Sequence, residues 1–248
     1  MKHPLLAGIL VAGALVAGGI PAQAAPEREA DALALFERFT EAMGGRQSME
    51  KLASFRQRSE LTIIGQNLTL PLTAVYRSPD KFYMETSLPG IGLSRQGYNG
   101  KTGWSMDPVL GYRELADAEL EMLRQNVALA KMADFAVAFT AMERLPDQTQ
   151  GGETVAVVRA VNGSGHADRL YFSTQSGLLR GWDTVAEAGP VGSVPVKMRF
   201  SDYREAGSLR VPFRTEVKTP AFDSVVSVKE METNIEVDPA IFEPPAGG

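Results

Sequence analysis

Gln96-Gly97-Tyr98-Asn99-Gly100-Lys101-Thr102-Gly103-Trp104 is the stretch on which the fold turns. An Asn-Gly pair stands between two short alternating segments, and both residues accept positive φ, so the spacing predicts a two-residue hairpin reversal at Asn99-Gly100. A phosphate-binding loop is the competing reading, because Gly100-Lys101-Thr102 matches the tail of that motif. The motif needs a glycine where this chain has Arg95, and a helix where it has Gly103-Trp104-Ser105-Met106. The hairpin reading therefore stands, with Trp104 expected in the core.

Working toward the N-terminus, Leu68, Leu70, Leu72, Ala74 and Tyr76 alternate with Thr69, Pro71 and Thr73, the period of a strand with one apolar face. Residues 55–64 and 82–85 alternate likewise. Reversals at Gly65-Gln66-Asn67, Ser78-Pro79-Asp80 and Leu88-Pro89-Gly90 join these pieces and the hairpin into an antiparallel meander. Before it, Ala30, Leu33, Phe36, Phe39 and Met43 recur at helical steps, predicting a helix over 27–43 that Gly44-Gly45 ends, with another turn or two over 48–53.

Beyond Asp107-Pro108 the period changes again. Leu115, Ala118, Leu120, Met122, Leu123, Val127 and Ala130 interleave with charged residues, predicting a helix over 117–130 and a second, more apolar helical piece over 131–139. Further strands follow at 154–161, 168–173, 178–185, 194–201, 212–218 and 224–232, with glycine-rich or proline-containing reversals between them. The sum is a mainly β (α+β) chain of about eleven antiparallel strands with helical insertions, a sheet long enough that it must curl or close.

Met1-Lys2-His3, the apolar run Leu5–Ile20 and the small residues Ala22 and Ala24 read as a secretory signal peptide over 1–24, cut after Ala24. Residues 25–248 then form a single domain, expected to be a soluble, exported monomer. With no cysteine in the chain, no lipobox, disulfide framework or thiol nucleophile is available. His166, in a Gly/Ser turn, is the one histidine after the leader, which removes the usual zinc sites and a Ser-His-Asp triad. Glu85, Asp107, Asp183 and Asp202 read as isolated acids. No catalytic residue, cofactor or metal ligand is assigned, and a binding protein is expected rather than an enzyme. A net charge of −5 without a basic run leaves no case for nucleic acid as a partner.

A curled sheet lined by apolar side chains makes a cavity whose default occupant is apolar. The inward alternation assigns Leu70, Leu72, Met84, Leu93, Val196, Met198 and Phe200 to its lining, with Met122 and Leu123 contributed by a helical lid. Methionines in the lid suit a surface that accepts varied apolar partners.

Several fragments stand in a shared order: Gly44-Gly45, Ser78-Pro79-Asp80-Lys81-Phe82, Gln96–Trp104, Thr174-Gln175-Ser176-Gly177-Leu178-Leu179, Asp202-Tyr203-Arg204, Val211-Pro212-Phe213, Asn234, and Phe242 before Pro244-Pro245. Together they resemble the LolA-like superfamily of outer-membrane lipoprotein-sorting proteins, over nearly all of residues 25–248. The resemblance implies a curved, unclosed antiparallel β-barrel with helices lidding an apolar cavity. It also implies a periplasmic location and carriage of acyl chains, each buried methylene contributing about 0.8 kcal/mol. Implied partners are a lipid or acylated lipoprotein and transport components of the inner or outer membrane. No residue here matches the arginine that holds the lid shut in the dedicated carrier, and the missing lipobox departs from the membrane-anchored receptor branch. The superfamily includes sensors, so a sensor or protein-interaction module on the same scaffold remains the alternative.

Overall fold

A computed structural model describes residues 29–116, 119–120, 123–124, 135–162, 165–187 and 193–245. Helices α1 (Ala30–Ala42) and α2 (Arg46–Glu50) lead into β1 (Ser54–Ile63), β2 (Leu68–Arg77), β3 (Lys81–Leu88), β4 (Gly92–Tyr98), β5 (Gly103–Asp107) and β6 (Gly111–Leu115). After a 3-10 turn at Phe135–Ala138 come β7 (Phe139–Gln150), β8 (Glu153–Asn162), β9 (Ala167–Ser173), β10 (Leu179–Glu187), β11 (Ser193–Ala206), β12 (Leu209–Lys218) and β13 (Asp223–Thr233). All pair antiparallel in one sheet of order β6-β5-β4-β3-β2-β1-β13-β12-β11-β10-β9-β8-β7. The sheet is curved and does not close, because β6 and β7 are its two edges. The leader assigned to residues 1–24 lies outside the described residues. Among the described residues, no helix is long and apolar enough to cross a membrane.

The sheet has thirteen strands where the sequence pattern predicts about eleven; the additional ones are the two edges, β6 and β7. β6 is only five residues long, and the second half of β7 is largely exposed on both faces, so neither carries the sustained alternation of a strand with one buried face. β7 contains Glu143, Arg144, Pro146, Asp147 and Gln148, and its pairing with β8 shifts register twice. Part of the lid predicted over 117–130 is seen as helical residues at 119–120 and 123–124; of the second helical piece predicted over 131–139, residues 131–134 lie outside the described residues, 135–138 form the 3-10 turn, and Phe139 already belongs to β7.

One side of α1 enters the core, with Ala32, Phe36, Phe39 and Met43 buried and Leu33 packed against them. Arg38 Nη2 donates to the carbonyls of Thr174 and Gln175 at 2.9 and 3.0 Å, fixing the helix over the β9–β10 turn. Arg210 N–H donates to the Met43 carbonyl at 2.9 Å, tying the helix end to β12.

The reversal at 99–102 is longer than the predicted two-residue turn. Asn99 lacks positive φ, and its side-chain oxygen accepts from the Lys101 and Thr102 amides at 3.0 and 2.8 Å, an Asx turn. The glycine that matters is Gly97. A Cβ there would lie 2.3 Å from the Trp104 indole, so only glycine lets that ring lie flat against β4. Trp104 is buried, as expected, but on the face away from the helices. Its indole N–H donates to the Phe242 carbonyl at 2.8 Å, and Phe242 packs with Val75 and Val237 in a separate cluster. The C-terminal segment thus forms a second, outer core.

Phe242→Ala is expected to cost about 3–5 kcal/mol, the usual range for a buried phenylalanine, and to shift Trp104 fluorescence to the red. Urea unfolding with fluorescence detection measures both; a loss below about 1 kcal/mol would rule out a closing role for this segment.

Candidate ligand-binding face

Cross-strand pairing converts the alternation of each strand into rows of side chains on the face that carries the helices. One row runs Tyr98–Phe82–Tyr76–Phe55 across β4 to β1. The next runs Gln96–Met84–Ala74–Gln57–Met231, and the next Ser94–Thr86–Leu72–Ser59–Val228, both ending on β13. A further row joins Leu70, Leu61, Val226, Thr215 and Phe200 from β2 to β11.

These rows are chemically distinct. The first belongs to the main apolar core. Leu70, Leu61, Ile63 and Val226 form a second, smaller apolar cluster nearer the β1–β2 turn. Between them lies a belt of uncharged amides and hydroxyls, where Gln57 Nε2 donates to Ser59 Oγ at 2.9 Å. Met84, Ala74, Met231, Val228 and Phe200, beside this belt, are only half-buried. A face of this kind can receive a chain that is mostly apolar and carries a few hydrogen-bonding groups.

On β7 to β10 the same face is filled. Phe36 and Phe39 of α1 meet Phe135, Phe139 and Phe172 with ring centroids 5.2–5.9 Å apart, and Phe135 meets Trp182 edge-on at 5.5 Å. Leu120 and Leu123 pack over Gly103, and Arg113 Nη2 donates to Glu119 Oε1 at 2.8 Å, holding the start of the lid to β6.

Of the residues expected to line a cavity, Met84, Val196, Met198 and Leu123 lie in or against the main core, as does Phe200. Leu70 joins the smaller cluster, and Leu72 is buried on the same face. Leu93 does not lie there. It pairs with Ser87, opposite in parity to Ser94 and Gln96, so its side chain leaves the other face and is 37 % exposed. Its apolarity suggested an inward position, whereas the register with β3 decides the face. Met122 lies outside the described residues. Gln57, Ser59 and Gln96 are polar residues at inward positions of the strands predicted at 55–64 and 91–98, and Thr86 lies just beyond the strand predicted at 82–85; the expected lining contains none of the four.

Asp168 is the only carboxylate or cationic side chain buried among the described residues. It accepts from Trp182 Nε1 at 3.0 Å, Thr184 Oγ1 at 2.7 Å and Asn162 Nδ2 at 3.3 Å. Burial pushes its carboxyl above the usual carboxylate range, and those three donors oppose the shift without cancelling it. A folded-state value above the unfolded one means the native protein binds the proton more tightly. The stability linked to this group is full below the unfolded carboxylate range and declines as pH rises through the folded value. Asp168→Asn offers one acceptor oxygen to three donors and is expected to cost about 1–3 kcal/mol, a deficit that narrows as pH rises through this titration. Urea unfolding of both proteins between pH 3.5 and 8 checks it, and a gap that widens with pH would reverse the assignment.

No protein-family model matches the sequence, and no curated protein matches it. Solved structures do share its architecture. A DUF1329 family protein from Desulfovibrio piger superposes with a TM-score of 0.61 at 9 % identity, over 86 % of this chain and 97 % of that one. A LolA superfamily protein from Nitrosomonas europaea gives 0.58 at 12 % identity, over 86 % and 97 %. A Vibrio parahaemolyticus domain described as an outer membrane lipoprotein-sorting protein gives 0.56 at 10 %, over 84 % and 95 %. At these identities the likeness is one of fold, and the chain has the fold of the LolA superfamily and DUF1329 proteins.

Proposed function

We propose that this protein binds and carries lipid or lipoprotein acyl chains on the helix-bearing face of its sheet, in the periplasm, without chemistry of its own. The carrying observation is the pair of rows Gln96–Met84–Ala74–Gln57–Met231 and Ser94–Thr86–Leu72–Ser59–Val228, half-buried in part and free of charge, flanked by apolar clusters on both sides. An acyl chain gains about 0.8 kcal/mol per methylene removed from water, and ester or amide oxygens need donors where they are buried. The likeness to a lipoprotein-sorting domain supports the same reading. Export would follow from the leader at 1–24, so protein recovered from the periplasm is expected to begin at Ala25, which N-terminal sequencing reads directly.

A fluorescent fatty-acyl probe is expected to bind the purified protein and to be displaced by lysophospholipid. Met84→Glu, on a half-buried row position, should weaken probe binding by at least about tenfold, because a carboxylate is costly to desolvate beside an acyl chain. Circular dichroism should stay native, since the side chain is only partly covered. Absence of probe binding by the wild type, together with a ligand-free native mass, would sink the carrier reading in favour of a sensor or interaction module.

A further inference from the structure

We propose that the end of the sheet bearing the β1–β2, β3–β4, β5–β6 and β12–β13 turns docks onto the surface of a lipid bilayer. Antiparallel register places these turns at one end, where Ile63 faces both Leu68 and Ser224, Leu88 faces Gly92, and Asp107 faces Gly111. In the order of the sheet they are neighbouring hairpins, successive tips standing about two strand spacings, or roughly 10 Å, apart.

The large hydrophobic side chains exposed among the described residues are Ile64, Ile91, Leu93, Val109, Leu110 and Val137. The first five belong to these turns or the strand positions beside them, and Val137 stands two residues before Phe139, which pairs with Asn162 at this same end. Val109 and Leu110 are the most exposed, at 74 % and 71 %. Asp107 holds them outward, its carboxylate accepting from both of their amides at 2.8 and 3.0 Å. The reversals at the opposite end have a different character: Asp80, Asn99, Lys101, Thr102, Thr174, Gln175 and Ser208 occupy them, with no exposed large hydrophobic among the described residues.

Charge identifies the occupant. Residues 64–68, 88–93, 108–111 and 219–222 contain no Asp, Glu, Lys, Arg or His, in a chain that is 22 % charged. Of the first charges behind them, Lys218 pairs with Asp223 at 3.7 Å, Lys229 with Glu60 at 2.9 Å, Arg95 with Glu85 at 3.0 Å and Arg113 with Glu119 at 2.8 Å, while the Asp107 carboxylate is held by the Val109 and Leu110 amides. Entry of such tips into the headgroup region desolvates little charge, and it needs no anionic lipid. Separate apolar tips on several hairpins suit a yielding surface, whereas a protein partner favours one contiguous patch. The tips adjoin the small apolar cluster of Leu61, Ile63, Leu70 and Val226, and α1 is anchored at the other end through the β9–β10 turn. That the docked end is also the end through which a lipid chain passes rests on the carrier reading; the docking itself does not.

Cosedimentation with phosphatidylcholine vesicles, and with vesicles containing phosphatidylglycerol, at low and high sodium chloride tests the proposal. Binding to both vesicle types is expected, with little dependence on salt. The double variant V109S/L110S should lower partitioning by at least about tenfold, from the loss of exposed methylene and methyl groups, and Ile64→Ser should lower it further. These side chains lie outside the core, so folding should be retained, and uptake of the acyl probe in solution should be unchanged. Vesicle binding without probe uptake would remove the carrier role and leave docking in place. Probe uptake without vesicle binding would overturn docking alone. Binding confined to anionic vesicles and lost in salt, or a double variant that partitions like wild type, would also overturn it, as would capture of a protein by these tips with no affinity for vesicles.

Discussion

An antiparallel sheet that curls without closing leaves one face to be covered, and that requirement organises the rest of the chain. Its pairs bring inward residues from many strands into continuous rows, so each row needs a partner along its length. On β7 to β10 the partner is α1, with Phe36 and Phe39 set among the aromatic rings of Phe135, Phe139, Phe172 and Trp182. Across β1 to β4 the Tyr98–Phe82–Tyr76–Phe55 row still belongs to the core, and beyond it the inward residues change to Gln57, Ser59, Thr86 and Gln96, with half-buried Met84 beside them. The division between a filled half and a neutral, half-covered half is what makes the second a candidate for a ligand.

The outer face has a separate solution. Part of it is polar and paired, as in the Arg95–Glu85 contact, while on β8 and β9 Val155, Val157 and Tyr171 form a small buried apolar cluster with Leu145 of β7 against them. Near Gly97 it is apolar, and the C-terminal segment folds back to cover it, with Phe242 fully buried and its carbonyl accepting from Trp104. A hairpin that reads as a simple reversal is therefore also the docking point for the end of the chain. Asn99 reinforces this, its side-chain amide donating to Glu243 at 2.7 Å.

Much of the fold was legible because period and burial coincide on central strands: β2 alternates Leu68, Leu70, Leu72, Ala74 and Tyr76 as its inward face requires. The edges were not legible, since β7 is polar and interrupted by Pro146, and its strand character comes from β8. For the site, Met84 and Phe200 were readable as inward apolar residues. Gln57 and Gln96 carry no such signal, because a polar side chain at an inward position looks like a break in pattern until its row neighbours are known. Leu93 shows the converse, an apolar residue whose face depends on a register that only pairing with β3 supplies.

The amino-acid order alone determined the antiparallel meander, the amphipathic helix ended by Gly44-Gly45, the absence of thiol chemistry and the neutral character of the turns at 64–68, 88–93, 108–111 and 219–222. These are local properties, set by spacing and side-chain type within a few residues. The tertiary structure decided which turns share an end, which polar residues meet in a belt, and that Trp104 is closed from outside by Phe242. The reason is distance along the chain: β1 pairs with β13, and Trp104 meets a carbonyl 138 residues away, through contacts that no local periodicity encodes.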